Sequence, residues 1–300
     1  MQKPEGVWVP IATAFDADEN VDITGLQELV QYIVQAGVDG LILAGTTGEF
    51  YALDEQDRKV IYEAVLGQVK SRVPVYSGTG AVTTRKALKL IEQAESSGID
   101  GLLVITPFYI SPSQEDLLSY YSTVAKATSL PIIIYSNPGR TGGIYPAPSI
   151  VAELSEQRNI VGIKDSSGDL ALTAEYIDII DSSRFAVLMG QDKLFFQGLI
   201  QGCSGLVAAT ANIAPKLLVD LWNAYRSKDW ETCLELQKKV TLIRKGFELL
   251  PFPVAAKVMI EMIGIKVGSP RGPLGSRPIS SVERRKLESI VEEISPWITR

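Results

Sequence analysis

The sequence predicts an α/β fold, a (β/α)8 TIM barrel with a C-terminal helical appendage. Short β-rich runs alternate with amphipathic helical stretches almost to residue 225. Strict alternation is typical of parallel βαβ units, because parallel strands need a long crossover connection. Eight such units in about 225 residues fit a closed barrel better than a doubly wound open sheet. We therefore predict a barrel over residues 1–225 and a helical region over residues 226–300.

The predicted strands and helices follow one another in a regular order. The strands cover residues 7–13, 40–44, 73–77, 101–105, 131–135, 160–164, 186–189 and 205–209. Helical patterns lie between them, for example over residues 23–36 and 55–69. After residue 214 the pattern is purely helical, over residues 215–226, 229–245, 253–263 and 281–294. The first of these helices completes the barrel, and the others form the appendage.

An internal repeat supports the barrel. It occurs as AGVDGLILAG (36–45), SGIDGLLVIT (97–106) and QGCSGLVAAT (201–210). Each copy has a glycine that ends a helix, a two-residue turn, a second glycine and a hydrophobic strand. The same helix-to-strand unit is therefore used at several points of the chain.

The composition argues against two classes of partner. The net charge of −6 provides no basic surface for nucleic acid or an anionic membrane. No apolar run approaches the roughly 20 residues that span a bilayer. The N-terminus, MQKPEGVWVP, lacks the apolar region of a signal peptide. We therefore expect a cytoplasmic protein that binds neither nucleic acid nor membrane.

The chain contains no histidine and two cysteines, Cys203 and Cys233. Two cysteines are too few for a disulfide scaffold or a cysteine zinc site, and their apolar surroundings favour a place in the core. The lack of histidine excludes Ser-His-Asp and Cys-His nucleophile systems and histidine metal sites. Acid–base chemistry must therefore fall to Tyr, Lys, Asp or Glu.

Lys164 ends the sixth predicted strand, in the stretch GIKDSSGD (162–169). Barrel enzymes place their chemistry at the carboxyl ends of the strands. In the simplest interpretation Lys164 reaches water or pairs with Asp165. In the functional interpretation it is a Schiff-base nucleophile, whose amine must be neutral to attack a carbonyl, a form that desolvation favours.

The glycine-rich stretch GTTGE (45–49) follows the second predicted strand. Thr46 and Thr47 could cap the next helix, and Glu49 could belong to that cap. Gly45 and Gly48 also let the backbone approach a ligand, so the two hydroxyls and nearby N–H groups could hold a carboxylate. The stretch is not a Walker phosphate loop.

Two tyrosines and an arginine lie at other strand ends, in TPFY (106–109) and YSNPGRTGG (135–143). Tyr135 and Tyr109 are either rim or core aromatics or the proton carriers of a site without histidine. Arg140 either forms a surface ion pair or binds an anion through two hydrogen bonds.

In combination, GTTGE, YSNPGRTG and GIKDSSGD, in this order and spacing, resemble the dihydrodipicolinate synthase / N-acetylneuraminate lyase family. The resemblance runs from Gly6 to the C-terminal helices. It implies a homotetrameric (dimer of dimers) class I lyase or aldolase that acts on pyruvate or a related 2-oxo acid. Lys164 would form the imine, and the backbone at Gly190 and Val207 would line the pocket. No metal or organic cofactor is implied, because the protonated imine is itself the electron sink.

The resemblance also implies roles for the threonines and tyrosines. Thr47 would hold the pyruvate carboxylate. Tyr135 would move protons at the imine and at the carbon being made or broken. Thr46 would link Tyr135 to Tyr109, which family members contribute from the neighbouring subunit.

Arg140 is the main discriminator within the family. In synthase-like members an arginine here receives the carboxylate of aspartate semialdehyde, and GTTGE is also synthase-like. Condensation of pyruvate with aspartate semialdehyde is therefore the leading specific prediction. KDSSGD resembles equally well the paralogues that cleave 2-oxo-3-deoxy sugar acids or hydroxy-oxo acids, so an aldolase or an N-acetylneuraminate lyase-like enzyme stays an alternative. An alternative of another class is a non-catalytic barrel that binds a 2-oxo acid or an amino acid.

Feedback inhibition by lysine is not expected. In lysine-inhibited members of the family, the loop after GTGA carries an asparagine and then a glutamate. This chain has Val82 and Lys86 in that loop. The partners for the ammonium groups of free lysine are therefore missing.

Overall fold

The computed structural model describes residues 3–298. Eight parallel strands form a closed barrel, in which each strand pairs with the next along the chain and the last pairs with the first. The strands are β1 (Gly6–Pro10), β2 (Gly40–Leu43), β3 (Val75–Gly78), β4 (Gly101–Ile105), β5 (Ile132–Ser136), β6 (Ile160–Asp165), β7 (Ala186–Met189) and β8 (Gly205–Val207). The predicted (β/α)8 barrel is confirmed.

A helix follows each strand. The barrel helices are α1 (Ile23–Gln35), α2 (Glu55–Val69), α3 (Thr84–Ser96), α4 (Gln114–Lys126), α5 (Pro148–Ser155), α6 (Leu170–Asp178), α7 (Phe195–Gln201) and α8 (Pro215–Arg226). Several begin at a side chain that caps the free backbone N–H groups, as Asp54 does for α2 and Ser113 for α4. Over residues 3–298, no helix is long and apolar enough to cross a membrane.

The second glycine of the repeat has a packing role inside the barrel. A Cβ atom on Gly40 would lie 2.4 Å from the Trp8 ring, and one on Gly101 would lie 2.4 Å from the Tyr76 ring. The two rings pack edge to face, with 4.8 Å between their centroids. Glycine at the start of β2 and β4 therefore leaves room for the aromatic side chains that fill the barrel.

Three further helices form the C-terminal appendage, α9 (Trp230–Phe247), α10 (Val254–Met262) and α11 (Ser281–Glu293). The appendage is confirmed, and its apolar side chains join the core that lies between strands and helices; examples are Val240, Phe247, Met259 and Leu287. The domain boundary at residue 225 stays a prediction. Residues 1, 2, 299 and 300 of the predicted domains lie outside the described residues.

Candidate active site

Lys164 and Tyr135 lie side by side at the carboxyl ends of β6 and β5. The two strands pair in parallel, and these two residues are direct partners in the register. Lys164 Nζ lies 4.0 Å from the centroid of the Tyr135 ring. Both side chains point into the barrel mouth, and both are buried, with exposed fractions of 6% and 5%. A buried amine beside a phenol supplies a nucleophile for a carbonyl and a proton carrier without any histidine.

Lys164 does not pair with its neighbour Asp165. The Asp165 carboxylate accepts hydrogen bonds from Thr173 Oγ1 (2.7 Å), Ser167 N (2.9 Å) and Ser167 Oγ (3.0 Å). These partners belong to the start of α6 and the loop before it, on the outer side of β6. None of the ion pairs between residues 3 and 298 includes Lys164. The interpretation in which Lys164 pairs with Asp165 is therefore wrong.

The Tyr135 hydroxyl is held by two polar side chains. Thr46 Oγ1 lies 3.3 Å from it, and Asn137 Nδ2 donates to it at 2.8 Å. Burial alone raises the pKa of the Tyr135 phenol, but the positive charge of Lys164 and these hydrogen bonds outweigh burial and lower it below its ordinary value. A phenol with a lowered pKa gives up and takes back a proton more readily near neutral pH.

The GTTGE loop after β2 has little freedom. Gly48 C=O accepts a hydrogen bond from Thr13 Oγ1 (2.8 Å), and a Cβ on Gly48 would lie 2.8 Å from the Ile11 carbonyl oxygen. Gly48 thus packs against the segment after β1 rather than lining the cavity. Glu49, the next residue, has a left-handed backbone with φ of 56°, a conformation that costs energy for a residue with a side chain.

The Glu49 carboxylate is buried and joins the loop to the C-terminal region. Its Oε1 atom lies 2.8 Å from Lys257 Nζ, and the two side chains are 0% and 1% exposed. Its Oε2 atom accepts a hydrogen bond from Arg271 N (3.1 Å). The Phe15 ring lies beside both cationic side chains, 4.3 Å from Lys257 Nζ and 4.5 Å from Arg271 Cζ. Burial lowers the pKa of Lys257, and the Glu49 charge opposes that shift.

A cavity of about 210 Å³ opens above these strand ends. Seven of the predicted site residues line it, namely Thr46, Thr47, Tyr135, Arg140, Lys164, Gly190 and Val207. A Cβ on Gly190 would lie 2.0 Å from Ser166 Oγ, so the close approach of β6 and β7 requires glycine there.

Tyr109 lies away from this cavity. Its side chain is 96% exposed, and its backbone has a φ of 72°. A large aromatic side chain held in open solvent on a strained backbone fits a contact with another chain better than a place in its own site.

Several residues of the site were not predicted from the sequence. Asn137 lies in YSNPGRTG and Ser166 in GIKDSSGD, each two residues after Tyr135 or Lys164, so their closeness in sequence could have indicated them. Arg244 and Phe252 also line the cavity, but they come from the C-terminal region, and no local pattern connects them with the strand ends. Among residues 3–298, no group of three or more His, Cys, Asp or Glu side chains could hold a metal ion.

Comparison with known proteins places the chain in one family. The model of the dihydrodipicolinate synthetase family matches residues 3–294. The 4-hydroxy-tetrahydrodipicolinate synthase of Geotalea uraniireducens is 36% identical over 289 residues, which cover 96% of this chain and 98% of the relative.

Two solved structures are also similar. A prophage protein of E. coli K12 from the dihydrodipicolinic acid synthase family, in complex with pyruvate, has a TM-score of 0.91 and 31% identity over 97% of this chain and 98% of its own. A monomeric dihydrodipicolinate synthase variant has a TM-score of 0.93 and 32% identity over 97% of each chain. The family match, the curated relative and the barrel with its paired lysine and tyrosine agree, and the chain belongs to the dihydrodipicolinate synthetase family of enzymes.

Proposed function

We propose that the chain is a Schiff-base-forming lyase that acts on pyruvate or a related 2-oxo acid, with 4-hydroxy-tetrahydrodipicolinate synthase as its leading specific activity. The observation that carries the proposal is the contact between the buried Lys164 amine and the Tyr135 ring at 4.0 Å, in the cavity at the barrel mouth, where the lysine has no carboxylate partner among residues 3–298. The curated relatives that carry the synthase name support the specific activity.

In the proposed mechanism, the neutral amine of Lys164 attacks the carbonyl carbon of pyruvate. A C–N bond forms, the former carbonyl oxygen leaves as water, and a protonated imine remains. Tyr135 supplies and removes protons, because its hydroxyl is fixed by Thr46 and Asn137 (3.3 and 2.8 Å). Thr47 and its neighbouring backbone hold the pyruvate carboxylate.

The imine then activates the pyruvate methyl group. Loss of a methyl proton gives an enamine, whose carbon attacks the aldehyde of the second substrate. The new C–C bond leaves an alkoxide, which takes a proton from the site. Since the protonated imine accepts the electron pair in this sequence, the chain needs no metal or organic cofactor under this proposal. Arg140 receives the carboxylate of aspartate semialdehyde.

The same groups run the reaction in the opposite direction. Cleavage of a 2-oxo-3-deoxy sugar acid or hydroxy-oxo acid is the second candidate, and the motif KDSSGD (164–169) favours it. A non-catalytic barrel that only binds its ligand would have no use for a buried amine without an ion-pair partner.

We further propose that the enzyme works as a homotetramer in the cytoplasm. The exposed Tyr109 supports an assembly in which this residue reaches the site of a neighbouring subunit, where Thr46 would connect it to Tyr135.

Trapping of the imine tests the mechanism. Borohydride reduction in the presence of pyruvate should attach pyruvate to Lys164 and inactivate the enzyme, and peptide mass spectrometry locates the adduct. Lys164→Arg should abolish trapping, since a guanidinium group stays protonated and cannot attack a carbonyl. The control Lys245→Arg changes an exposed lysine of α9 and should be trapped as wild type is. An adduct on another lysine, or none, would contradict the proposal.

A substrate panel separates the specific activities. Wild-type enzyme is assayed with pyruvate and aspartate semialdehyde, and separately with 2-oxo-3-deoxy sugar acids and hydroxy-oxo acids. Condensation with the semialdehyde supports the synthase activity, whereas cleavage of a sugar acid without condensation supports the second candidate.

A further inference from the structure

Arg244 reaches the cavity from the C-terminal appendage. It lies near the end of α9, is half-buried, and lines the same cavity as Lys164. Gln237 lies two turns earlier on the same face of the helix and fixes the position of α9 on the barrel. It donates to Asp192 C=O (3.0 Å) and accepts from Phe196 N (2.9 Å), so this face packs on the connection between β7 and α7. Arg244 therefore extends over the mouth from the β7 side.

The Arg244 guanidinium has no carboxylate partner between residues 3 and 298. It forms no ion pair there, and the rings of Phe247 and Phe252 lie beside it, with their centroids 5.8 and 5.6 Å from Cζ. Asp192, an acid that also lines the cavity, is engaged elsewhere, because its Oδ2 accepts from Thr210 N (2.8 Å). A cation held against apolar rings beside a cavity is a ready partner for an anionic ligand.

A second unpaired cation lies on the other side of Lys164. Arg140 follows β5 and lines the cavity, and it too forms no ion pair in the described part of the chain. In the barrel, β6 lies between β5 and β7. Two guanidinium groups thus line the cavity that holds the reacting lysine, while the pyruvate carboxylate is proposed to lie at Thr47, after β2.

We propose that Arg244 is a second specificity residue, which together with Arg140 selects substrates whose part beyond the reacting carbonyl ends in a carboxylate. The expected second substrate is therefore an aldehyde that carries its own carboxylate, rather than an uncharged polyol aldehyde. This inference rests on the proposed imine at Lys164. It adds a residue from the appendage to the recognition of the second substrate.

The test uses enzyme whose Lys164 has first been trapped with pyruvate and borohydride, so that no turnover occurs. Isothermal titration calorimetry measures Kd for succinic semialdehyde and for butanal, two four-carbon aldehydes that differ in the terminal carboxylate. Wild type should prefer the carboxylate. Arg244→Met, which keeps an apolar stem against Phe252, should weaken binding of the semialdehyde about tenfold or more and leave butanal unchanged. Arg244→Lys should recover part of the loss.

The neighbouring Lys245 provides a matched control. It is exposed on the outer face of α9, so Lys245→Gln removes one positive charge without changing the cavity, and the preference should stay as in wild type. Equal weakening of both aldehydes by Arg244→Met, or a wild type without preference, would overturn the proposal. If wild-type enzyme cannot be trapped with pyruvate, the proposed imine at Lys164 is wrong, and the role of Arg244 that rests on it falls as well.

Discussion

The two ends of the cavity are built in different ways. At the inner end, the tyrosine and the threonine loop are held in place: the Tyr135 hydroxyl is bonded to Thr46 and Asn137, and Glu49 of the loop is paired with Lys257. At the outer end, Arg140 is exposed on a loop, and Arg244 has aromatic rings beside it but no counter-ion among the described residues.

This difference suits the two ends to two tasks, the reaction at the inner end and selection of the second substrate at the outer end. The reacting groups must be held in one geometry, because small displacements of catalytic groups lower the rate strongly. Groups that select the second substrate can stay without a counter-ion until the ligand binds and supplies the opposite charge. The inner end therefore defines the reaction of the family, and the outer end is where members that share this reaction can differ.

The largest effect is expected at the inner end, from Tyr135→Phe. The change removes the proposed proton carrier and keeps the ring that contacts Lys164, so turnover should fall by about 10²–10⁴-fold while the free energy of unfolding hardly changes. Steady-state kinetics and urea denaturation check both. Tyr76→Phe is the matched control, because Tyr76 is buried in the same inner cluster and should keep normal turnover. Near-normal turnover of Tyr135→Phe would show that substrate or water carries the proton.

The next largest effect is expected from loss of the buried ion pair between Glu49 and Lys257, and it concerns stability. Lys257→Met leaves the Glu49 carboxylate buried without its counter-charge, which should lower the free energy of unfolding by about 3–5 kcal/mol. KM for pyruvate should rise in protein that still folds, since Thr46 and Thr47 belong to the same loop. Urea denaturation measures the first effect and initial rates the second.

Lys266→Met, at an exposed position after α10, is the control and should change stability by less than about 0.5 kcal/mol. The double variant Glu49→Met/Lys257→Met should recover part of the loss, because no unpaired charge remains. If Lys257→Met is as stable as wild type, the ion pair between Glu49 and Lys257 does not stabilise the fold, which would contradict this prediction.

A smaller and more selective effect is expected at the outer end. Arg140→Ala should lower kcat/KM for aspartate semialdehyde about 10- to 150-fold, the value of one charge-assisted contact. Pyruvate trapping should persist, because Lys164 and the threonine loop are unchanged. Arg158→Ala, an exposed arginine after α5, is the control. If trapping is lost as well, Arg140 supports the structure of the site and its presence says little about the second substrate.

No effect is expected from free lysine. Lys86 Nζ forms an ion pair with Glu55 Oε1 at 2.8 Å, and Lys86 and Val82 line one surface groove. A lysine ligand would meet a cation and an apolar side chain there, so millimolar lysine should leave initial rates unchanged. Arginine at the same concentration controls for ionic strength. Clear inhibition by lysine alone would reveal another site.

Local patterns predicted most of the fold and the inner end of the site. Alternation indicated all eight strands, and strand-end positions indicated Lys164 and Tyr135. The end of β1 was predicted too late, at residue 13 instead of Pro10. The apolar run continues beyond Pro10, but Ala12 N donates its hydrogen bond to the Asn212 side chain (Oδ1, 3.0 Å) and not to a neighbouring strand.

Residues that act through tertiary contacts could not be predicted in this way. Glu49 was interpreted as a possible helix cap, yet its partners Lys257 and Arg271 lie more than two hundred positions away, the latter 222 residues along the chain. Arg244 lies in an amphipathic helix whose pattern indicates only that one face is buried. Their roles depend on how the appendage docks on the barrel, and that is a property of packing rather than of sequence spacing.

The ion pair between Glu49 and Lys257 also constrains the order of events during synthesis on the ribosome. Lys164 and Tyr135 leave the ribosome well before Lys257, so an incomplete chain already carries both while the Glu49 side chain still lacks its counter-charge. The ion pair that joins the threonine loop to the C-terminal region can form only after Lys257 has emerged. Truncated products that end before Lys257 should therefore bind pyruvate poorly, and we expect the proposed imine to form only in chains that extend past this residue.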